Sequence, residues 1–461
     1  MYSSVKLTPE MLRVDSVGAC TIHSPLNLST VPNDEIADYV PDDARVLLDV
    51  ERSAGQPVDV SLDFEKAGPR EMICFEPENT RAAIVTCGGL CPGINHVIRS
   101  IVLQLHYNYN VSDILGYRYG YRGLNPDRGS PPVALNPDNV GTIHTAGGSF
   151  LGVSRGGEDI KTIADTLERD NVKILFAVGG DGTLRGAMAL YEEIKRRGVP
   201  ISIVGVPKTI DNDIAYVDKT FGFDTAVGVA RVAIDGAHTE AKSAHNGIGL
   251  VKLMGRDSGF IAASASLASL EVNYCLVPEV HFDLEGPHGL LEQLRLRLER
   301  RKHALIVVAE GCARNLSSGP IGHDASGNAQ YGGAEFDVGL FLKDQINGYF
   351  KQLSIPTTLK YIDPSYMVRS VPANANDSIF CDILARHAVH AGMAGKTGLV
   401  IGRWHNIFTH VPLGVATSKK KRIDPDSALW LAVTETTGQP DLSHVPVSRR
   451  PSLWRIARSG V

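Results

Sequence analysis

Short apolar runs alternate with longer amphipathic stretches along most of the chain, from Arg81 onward. Most of the runs are apolar at successive positions, which is typical of strands that are covered on both faces. Most also end close to a glycine or a polar residue, as strands do where a loop begins. The strands predicted on this basis span residues 82–87, 174–178, 201–206, 248–253, 275–277, 305–309 and 399–402.

The stretches between these runs repeat their apolar residues at helical spacing. They predict helices over residues 95–105, 184–197, 225–241, 288–301 and 377–390. Because strands that alternate with such helices form parallel, doubly wound sheets, the predicted fold class is α/β. The pattern continues past Leu250, so we expect two doubly wound, mainly parallel β-sheet lobes with an N-terminal extension.

Residues 1–80 are polar, interrupted by prolines and nearly without period. We interpret them as an arm or small cap that contains one strand, at residues 45–50. The predicted division of the chain is therefore 1–80 for this arm, 81–245 for the first lobe, 246–415 for the second, and 416–461 for a C-terminal segment that returns to the lobes.

Composition does not change the predicted fold, but it restricts the classes of binding partner that are expected. The chain has 461 residues, 43% of them hydrophobic and 21% charged, as in an ordinary globular protein. Its formal net charge of −5 gives no electrostatic reason to expect nucleic acid or an acidic membrane. A phosphate-binding site in such a chain must gather its positive charge locally.

The cysteines and the chain ends predict a cytoplasmic protein. Seven cysteines are scattered without a C-x-x-C pair, so we expect reduced thiols and neither a disulfide framework nor a zinc site. The first residues lack the pattern of a signal peptide, and no stretch is apolar over the roughly 18 residues that span a membrane. The basic run 419–422 is interpreted as a solvated turn rather than a targeting signal.

The most informative loop is Val-Gly-Gly-Asp-Gly-Thr, which lies between a predicted strand and a predicted helix. Its glycines let the backbone approach an anion, and a helix N-terminus offers free N–H donors to phosphate oxygens. Asp181, in the middle of the loop, is suited to hold Mg²⁺ against those oxygens. A plain glycine-rich turn needs no such carboxylate, so phosphate binding is the favoured interpretation.

Two further glycine-rich segments support a nucleotide. Residues 86–95 read TCGGLCPGIN and again join a predicted strand to a helix, although many turns look alike. Residues 147–156 read GGSFLGVSRG and place Arg155 in a bend, where its guanidinium suits a phosphate. Together with the first loop, these segments predict a nucleotide lying across neighbouring strand ends.

The loop 207–213 reads PKTIDND and carries the predicted chemistry. Asp211 and Asp213 lie two residues apart, beside Lys208 and Thr209, directly after a predicted strand. One carboxylate can accept the proton of an attacking hydroxyl, while the lysine neutralises charge on a transferring phosphoryl group. The alternative is a turn with solvated carboxylates, and the position at the same sheet edge favours catalysis.

Later loops offer groups for an anionic, hydroxyl-bearing substrate. Arg256 and Glu310 each follow a predicted strand, and Arg369 and Lys360 lie near Asp363. Singly, such residues are more often surface charges than ligands. Because they occur repeatedly after strands, we predict that they bind substrate.

These loops, in this order, resemble the 6-phosphofructokinase family. The motifs CGGLCPGIN, GGDGT, PKTIDND, MGRDSGF, VVAEG and YMVR carry the resemblance, which spans residues 81–415. The chain looks most similar to the branch of trypanosomal and plant ATP-dependent enzymes, itself similar to the pyrophosphate-dependent ones. The resemblance implies a nucleotide-binding first lobe, a sugar-phosphate-binding second lobe and the phosphorylation of fructose 6-phosphate by Mg-ATP.

Residue roles follow from the same resemblance. It implies that Asp181 holds Mg²⁺ as the cofactor and that Asp211 is the general base. The residues implied to contact ATP are Gly88, Arg155, Gly156, Gly180, Asp181, Gly182 and Thr183. Those implied to contact the sugar phosphate are Thr209, Ile210, Asp211, Met254, Gly255, Arg256, Glu310, Lys360, Tyr366, Met367, Val368 and Arg369.

The chain departs from the bacterial members at two positions, where Gly247 and Lys360 stand in place of arginines. In the family the second of these positions is supplied across a subunit interface, so a homotetramer is expected, with a dimer as the alternative. Gly182 leaves room for ATP, whereas Lys208 is the residue that pyrophosphate users carry. We expect ATP as the donor.

Three alternatives remain open on the sequence. They are a pyrophosphate-dependent enzyme of the same fold, a kinase that shares only the GGDG loop, and a non-catalytic relative. A non-catalytic relative would be expected to have lost Asp181 or Asp211, and both are present.

Overall fold

The computed structural model describes residues 6–28, 38–51, 55, 58–316, 320–323, 329–331 and 336–443. The strands in these residues, in chain order, are β1 (Asp15–Ser16), β2 (Ile22–His23), β3 (Arg45–Leu47), β4 (Asp63–Lys66), β5 (Met72–Ile73), β6 (Arg81–Thr86), β7 (Asp113–Tyr117), β8 (Val133–Ala134), β9 (Ile174–Gly179), β10 (Ser202–Pro207), β11 (Gly247–Leu253), β12 (Tyr274–Leu276), β13 (His303–Ala309), β14 (Pro320–His323), β15 (Ala329–Tyr331), β16 (Thr358–Ile362), β17 (Lys396–Thr397), β18 (Leu399–Trp404) and β19 (Ile407–Pro412).

The α-helices of the same residues are α1 (Ile94–Leu103), α2 (Pro137–Val140), α3 (Ile160–Arg169), α4 (Asp181–Arg197), α5 (Phe223–Ser243), α6 (Phe260–Ser269), α7 (Leu290–Arg301), α8 (Ala313–Leu316), α9 (Val338–Gln352), α10 (Met367–Ser370), α11 (Ala375–Met393), α12 (Leu413–Ala416) and α13 (Ala428–Thr437). The seven strands and five helices predicted from residue 81 onward are confirmed, with ends shifted by at most three residues. None of the helices in the described part of the chain is both long and apolar enough to cross a lipid bilayer.

Contacts divide the chain into two compact units. Among the described residues, the large unit contains those within 6–222 and 369–420, and the small unit contains those within 223–368 and 421–443. These limits differ from the predicted ranges 81–245 and 246–415. The difference arises because α5 packs on β11 and β13 of the small unit, while β18 and β19 pair within the sheet of the large unit.

The large unit is built on a nine-stranded sheet in the order β3-β4-β19-β18-β10-β9-β6-β7-β8. Its five central strands, from β18 to β7, are parallel, and the strands at both edges are antiparallel. Every residue of β9 and β10 is buried, which agrees with their almost entirely apolar sequences. The predicted α/β class and mainly parallel sheet are therefore confirmed.

Helices cover both faces of this sheet. On β9, Leu175 and Ala177 belong to the same buried cluster as Ile163 of α3 and Leu184 of α4. Side chains alternate between faces along a strand, so Phe176 points the other way, where it lies beside Gly392 of α11. The hydrophobic core therefore fixes both the sheet and the helices that begin at its carboxyl edge.

The small unit contains a four-stranded sheet in the order β12-β13-β11-β16. All of its neighbouring strands are parallel. The helices α5, α6, α7 and α9 pack on it. Both lobes thus have the predicted sheet-and-helix architecture.

Residues 1–80, predicted as an arm or small cap, supply edge strands to the large unit in their described part. Strand β4 pairs with β19, and β3 pairs with β4. Strand β3 is shorter than the predicted 45–50. Strand β1 pairs with β17 near the other end of the chain.

The prediction that all seven cysteines are reduced thiols is wrong for two of them. Cys20 and Cys74 form a disulfide, with Cα atoms 4.0 Å apart, although 54 residues separate them in sequence. The fold brings them together beside Ala394, and this pairing left no trace in their spacing along the chain. The other five cysteines are free and buried.

Candidate active site

Four of the loops singled out in the sequence meet at the carboxyl edge of the large sheet. The backbone N–H of Cys87 donates to Val178, and that of Lys208 donates to Gly179, so the ends of β6, β9 and β10 are joined. The N–H of Gly88 donates to Ser154 of the 147–156 loop at 2.8 Å. The structure therefore brings together residues that lie more than a hundred positions apart in the sequence.

Three cationic side chains lie close to Gly89, in the loop that follows β6. Lys208 Nζ donates to the carbonyl of Gly89 at 2.7 Å. A Cβ atom on Gly89 would lie 3.3 Å from Arg155 Nη2 and 3.8 Å from Arg369 Nη1, so the absence of a side chain lets both guanidinium groups approach. The cluster concentrates positive charge in a chain whose net charge is −5.

Lys208 is the most unusual member of this cluster because its side chain is buried. Burial lowers its pKa, since the charged ammonium is removed from water. No carboxylate in the described residues forms an ion pair with it, and its hydrogen-bond partner is a neutral carbonyl. A buried cation held in this way is suited to receive an anion from outside the protein.

The Gly-Asp-Gly loop forms the first turn of α4. Gly180 caps the helix with extended backbone, and Asp181 lies in the first turn. Gly182 is exposed on the helix N-terminus, whereas Thr183 is buried. The hydroxyl of Tyr121 donates to the Thr183 carbonyl at 2.8 Å and fixes this end of the helix. Exposed N–H groups at such a terminus bind phosphate oxygens.

Two carboxylates and one ammonium lie beside this helix end. Lys420 Nζ is 2.8 Å from Asp213 Oδ2 and 3.5 Å from Asp181 Oδ2. Arg185 Nε also approaches Asp181 Oδ2, at 3.1 Å. Lys420 lies in the basic run 419–422, so the prediction of a solvated turn is wrong for this residue. The sequence did not indicate this role, because adjacent lysines in a polar stretch look alike.

The loop after β10 is cross-linked by its own side chains. Thr209 Oγ1 accepts from the Asp211 N–H at 3.1 Å and donates to Asp213 Oδ1 at 3.2 Å. Asn212 has a positive φ of 52°, and its Oδ1 accepts from the N–H of Thr220. Asparagine tolerates this left-handed conformation. The conformation of Asn212 helps to place Asp211 and Asp213, and it was not predicted from the sequence. Ile210 is buried beneath them.

In the 147–156 segment, Gly156 has a positive φ of 103°. A Cβ atom there would have open space around it. Of the predicted ATP-contacting residues, Gly88, Arg155 and Gly156 therefore lie in loops of the large unit, and residues 180–183 form the N-cap and first turn of α4.

The small unit holds most of the residues predicted to contact the sugar phosphate. Met254, Gly255 and Arg256 follow β11, and Glu310 follows the neighbouring strand β13. Gly255 has a positive φ of 126°, and a Cβ atom there would collide with the carbonyl of Ser258. The N–H of Gly311 donates to the Gly255 carbonyl, so the two loops are joined.

The remaining residues predicted to contact the sugar phosphate differ from one another in exposure and in the unit to which they belong. Lys360 lies inside β16, a strand that the sequence analysis missed, and it is exposed. Tyr366 and Met367 are 77% and 63% exposed, whereas Val368 is buried. Arg369 belongs to the large unit, where it approaches Gly89 as described above.

The described residues contain no cluster of three or more histidine, cysteine, aspartate or glutamate side chains that could hold a metal. Asp181 and Asp213 nevertheless attract one cation jointly, as Lys420 shows. Mg²⁺ is usually bound by one or two carboxylates together with substrate phosphates and water. The two carboxylates therefore fit a magnesium ion that arrives with a phosphate ligand.

Comparison with known proteins places this geometry in context. Residues 81–392 match the protein family described as phosphofructokinase. The chain is 48% identical to an ATP-dependent 6-phosphofructokinase of Borreliella burgdorferi over 438 residues, covering 93% of this chain and 96% of that protein. It is also 48% identical to an ATP-dependent 6-phosphofructokinase of Trypanosoma brucei brucei over 391 residues, covering 84% and 79%.

The fold agrees with solved structures as well. A pyrophosphate-dependent phosphofructokinase from Marinobacter aquaeolei superposes with a TM-score of 0.62 at 20% identity, over 80% of this chain and 93% of that one. At this identity the likeness concerns the fold alone.

Proposed function

Because the chain belongs to the phosphofructokinase family, we propose that it is an ATP-dependent 6-phosphofructokinase. It phosphorylates fructose 6-phosphate to fructose 1,6-bisphosphate, a step of glycolysis. ATP-dependent relatives match this chain over 93% of its length, which supports ATP over pyrophosphate as the donor.

The observation that carries this proposal is the charge arrangement at the carboxyl edge of the large sheet. Lys208, Arg155 and Arg369 surround the Gly88–Gly89 backbone, and the N-terminus of α4 is close in sequence to β9. Cations and free N–H groups are what a triphosphate requires. We propose that Gly88, Arg155, Gly156 and residues 180–183 bind ATP there.

In the proposed mechanism Asp211 accepts the proton of the attacking sugar hydroxyl as its oxygen bonds to the γ-phosphorus of ATP and the bond from that phosphorus to the departing ADP breaks. Thr209 Oγ1 accepts a hydrogen bond from the backbone N–H of Asp211. This contact fixes the position of the backbone from which the Asp211 carboxylate extends. Lys208 offsets the charge of the transferring phosphoryl group. Asp181, with Asp213 nearby, would hold Mg²⁺, which when bound neutralises charge on the phosphate oxygens.

We propose that the sugar phosphate is bound by the residues that the family resemblance implies, most of which belong to the small unit. Arg256 and Arg369 suit its phosphate, and Glu310 suits its hydroxyls. The remaining residues of this proposed set are Thr209, Ile210, Met254, Gly255, Lys360, Tyr366, Met367 and Val368. The homotetramer, or a dimer in its place, and the cytoplasmic location remain predictions from the sequence.

Gly182 and Lys208 make opposite predictions about the donor. Gly182 is exposed at the helix end, so a carboxylate in its place would lie against the α-phosphate of ATP. Two like charges that close cost several kcal/mol, by order of magnitude, in a partly dry site. Lys208 can serve either donor, and we therefore give Gly182 the greater weight.

The proposal is tested by a coupled assay with fructose 6-phosphate and either donor. ATP should support turnover at least about a hundredfold better than pyrophosphate, and Gly182→Asp should abolish use of ATP. The reverse preference would make the enzyme pyrophosphate-dependent. Absence of turnover with both donors would point to a non-catalytic relative.

The role of Asp211 is tested separately. Asp211→Asn should lower kcat by roughly a hundredfold to ten-thousandfold, while the affinity for fructose 6-phosphate changes little. The amide keeps the size of the side chain but cannot accept the proton. Near-normal turnover in this variant would remove Asp211 from the role of base.

A further inference from the structure

Lys420 contacts both carboxylates at which the proposed metal would bind. Its ammonium lies 2.8 Å from Asp213 Oδ2 and 3.5 Å from Asp181 Oδ2. The two aspartates belong to loops that follow neighbouring parallel strands, β9 and β10. One positive group therefore joins two negative groups from different parts of the sheet edge.

The position of Lys420 is set by its backbone and not only by a flexible side chain. Lys420 forms an antiparallel bridge with Ile214, the residue that follows Asp213. Asp213 is buried, and Thr209 donates to its other oxygen. The side chain of Lys420 is only 21% exposed, so water screens its attraction to the carboxylates less than it screens a surface pair.

The neighbouring lysine has a different environment. Lys419 Nζ lies over the ring of Tyr216 at 4.8 Å, and no ion pair between Lys419 and a carboxylate is found in the described residues. The two residues share charge, length and sequence surroundings, but only Lys420 contacts Asp181 and Asp213. Lys419 therefore offers a matched control.

We propose that Lys420 is the internal counter-ion of the metal site. Its ammonium, alongside Arg185, offsets part of the negative charge of Asp181 and Asp213 in the nucleotide-free enzyme and competes with free divalent cations for these carboxylates. The metal then binds tightly only when nucleotide phosphates add their own negative charge to the site. This inference rests on the proposed function, since it takes Asp181 as the metal ligand.

The competition follows from elementary electrostatics. A unit charge within 4 Å of a carboxylate interacts with it strongly at the effective dielectric constant typical near a protein surface. A divalent cation at the same two carboxylates would face the ammonium at short range. Loss of the ammonium should therefore strengthen binding of a free cation, whereas loss of a merely structural lysine should weaken it or leave it unchanged.

The test is a titration of the nucleotide-free, full-length enzyme with Mn²⁺, followed by electron paramagnetic resonance of the unbound ion. Lys420→Met should bind Mn²⁺ at least about tenfold more tightly than the wild type, because one positive charge has gone. Lys420→Arg, which keeps the charge, and Lys419→Met should titrate like the wild type. Lys420→Met combined with Asp181→Asn should lose the gained affinity.

Thermal unfolding gives a second readout. Without metal, Lys420→Met should melt below the wild type, and millimolar Mn²⁺ should restore much of the difference. If Lys420→Met fails to fold, Lys420→Gln serves in its place. Unchanged or weaker Mn²⁺ binding in the neutral variants would overturn the proposal.

A further measurement separates this inference from the proposed function. Mn²⁺ binding in the presence of ATP should be weakened by Asp181→Asn if Asp181 is the metal ligand. If that result holds and the neutral Lys420 variants still bind free Mn²⁺ like the wild type, only the counter-ion role is wrong. If Asp181→Asn has no effect, the proposed metal site is wrong, and the counter-ion role falls with it.

Discussion

At the scale of single residues, the buried charge of Lys208 lowers the stability of the fold, and a role in function explains why it is there. Its ammonium is buried against the Gly89 carbonyl without a carboxylate partner among the described residues. Burying a charge in this way destabilises a fold, and replacing it by an apolar side chain of similar length relieves the cost. Lys208→Met should therefore lower turnover at least about a hundredfold while the unfolding temperature stays the same or rises.

Both quantities are measured on the same preparation, by the coupled assay and by thermal unfolding. Lys161→Met is a suitable control, because Lys161 is exposed on α3, and it should change neither. A Lys208→Met enzyme that melts well below the wild type would show that the lysine is a structural residue.

At the scale of elements, the central strands could be predicted because they are mostly buried on both faces and mostly apolar. Strand β16 was missed because it lies at the edge of its sheet and exposes Thr358 and Lys360. Strand β19 was missed because it carries Thr409 and His410, which are buried but polar. The partner of His410 is Glu65, which comes from a distant part of the chain.

The residues of the candidate site likewise fall into those that could be predicted from the sequence and those that could not. Loops that follow apolar strands could be predicted, since parallel strands end at one edge of a sheet. Lys420 could not, because its contact with Asp213 spans 207 positions and depends on the backbone bridge to Ile214. Nothing in the local sequence distinguishes it from Lys419.

Helix α11 and strand β19 together bury a group of histidines, and these predict an acid-sensitive fold. His390 is buried and His387 is partly buried, and removal from water lowers the pKa of each to about 3. In the unfolded chain both would titrate near 6.5, so the unfolded state binds more protons below that pH. The free energy of unfolding should therefore fall as pH decreases from about 6.5 towards 3, by up to about 1.4 kcal/mol per pH unit for each histidine.

Unfolding temperatures between pH 7.5 and pH 5 measure this effect, at roughly half-unit steps under one scan rate. His387 stacks on Phe408 with ring centroids 4.5 Å apart, so His387→Phe keeps the contact and removes the titration. This variant should lose less stability at acid pH than the wild type. Parallel curves for the two proteins would exclude His387 as a cause.

At the scale of the whole molecule, the family resemblance predicts an assembly in which Lys360, which is exposed, acts across a subunit interface. An ammonium can bind a phosphate as a point charge, without the fork of an arginine. If a neighbouring subunit supplies it, Lys360→Ala should raise the KM for fructose 6-phosphate far more than the KM for ATP. Lys351→Ala, which removes another exposed lysine of the small unit, should leave both constants unchanged.

Light scattering at high dilution, combined with the assay, decides whether an oligomer is needed. Activity should fall as the oligomer dissociates. A fully active monomer would contradict both the tetramer and the shared role of Lys360.

The order of the strands in the large sheet also affects how the protein is made. In the described part of the chain, that order places β4 between β3 and β19, and β19 ends at Pro412. During translation at about 5–20 residues per second, the first strands to leave the ribosome wait on the order of tens of seconds for this neighbour. Until it arrives, one edge of β4 offers unpaired backbone groups to other nascent chains. Chaperones that shield such edges would therefore matter until β19 is synthesised, which happens after the loops at 180–183 and 207–213 have been made.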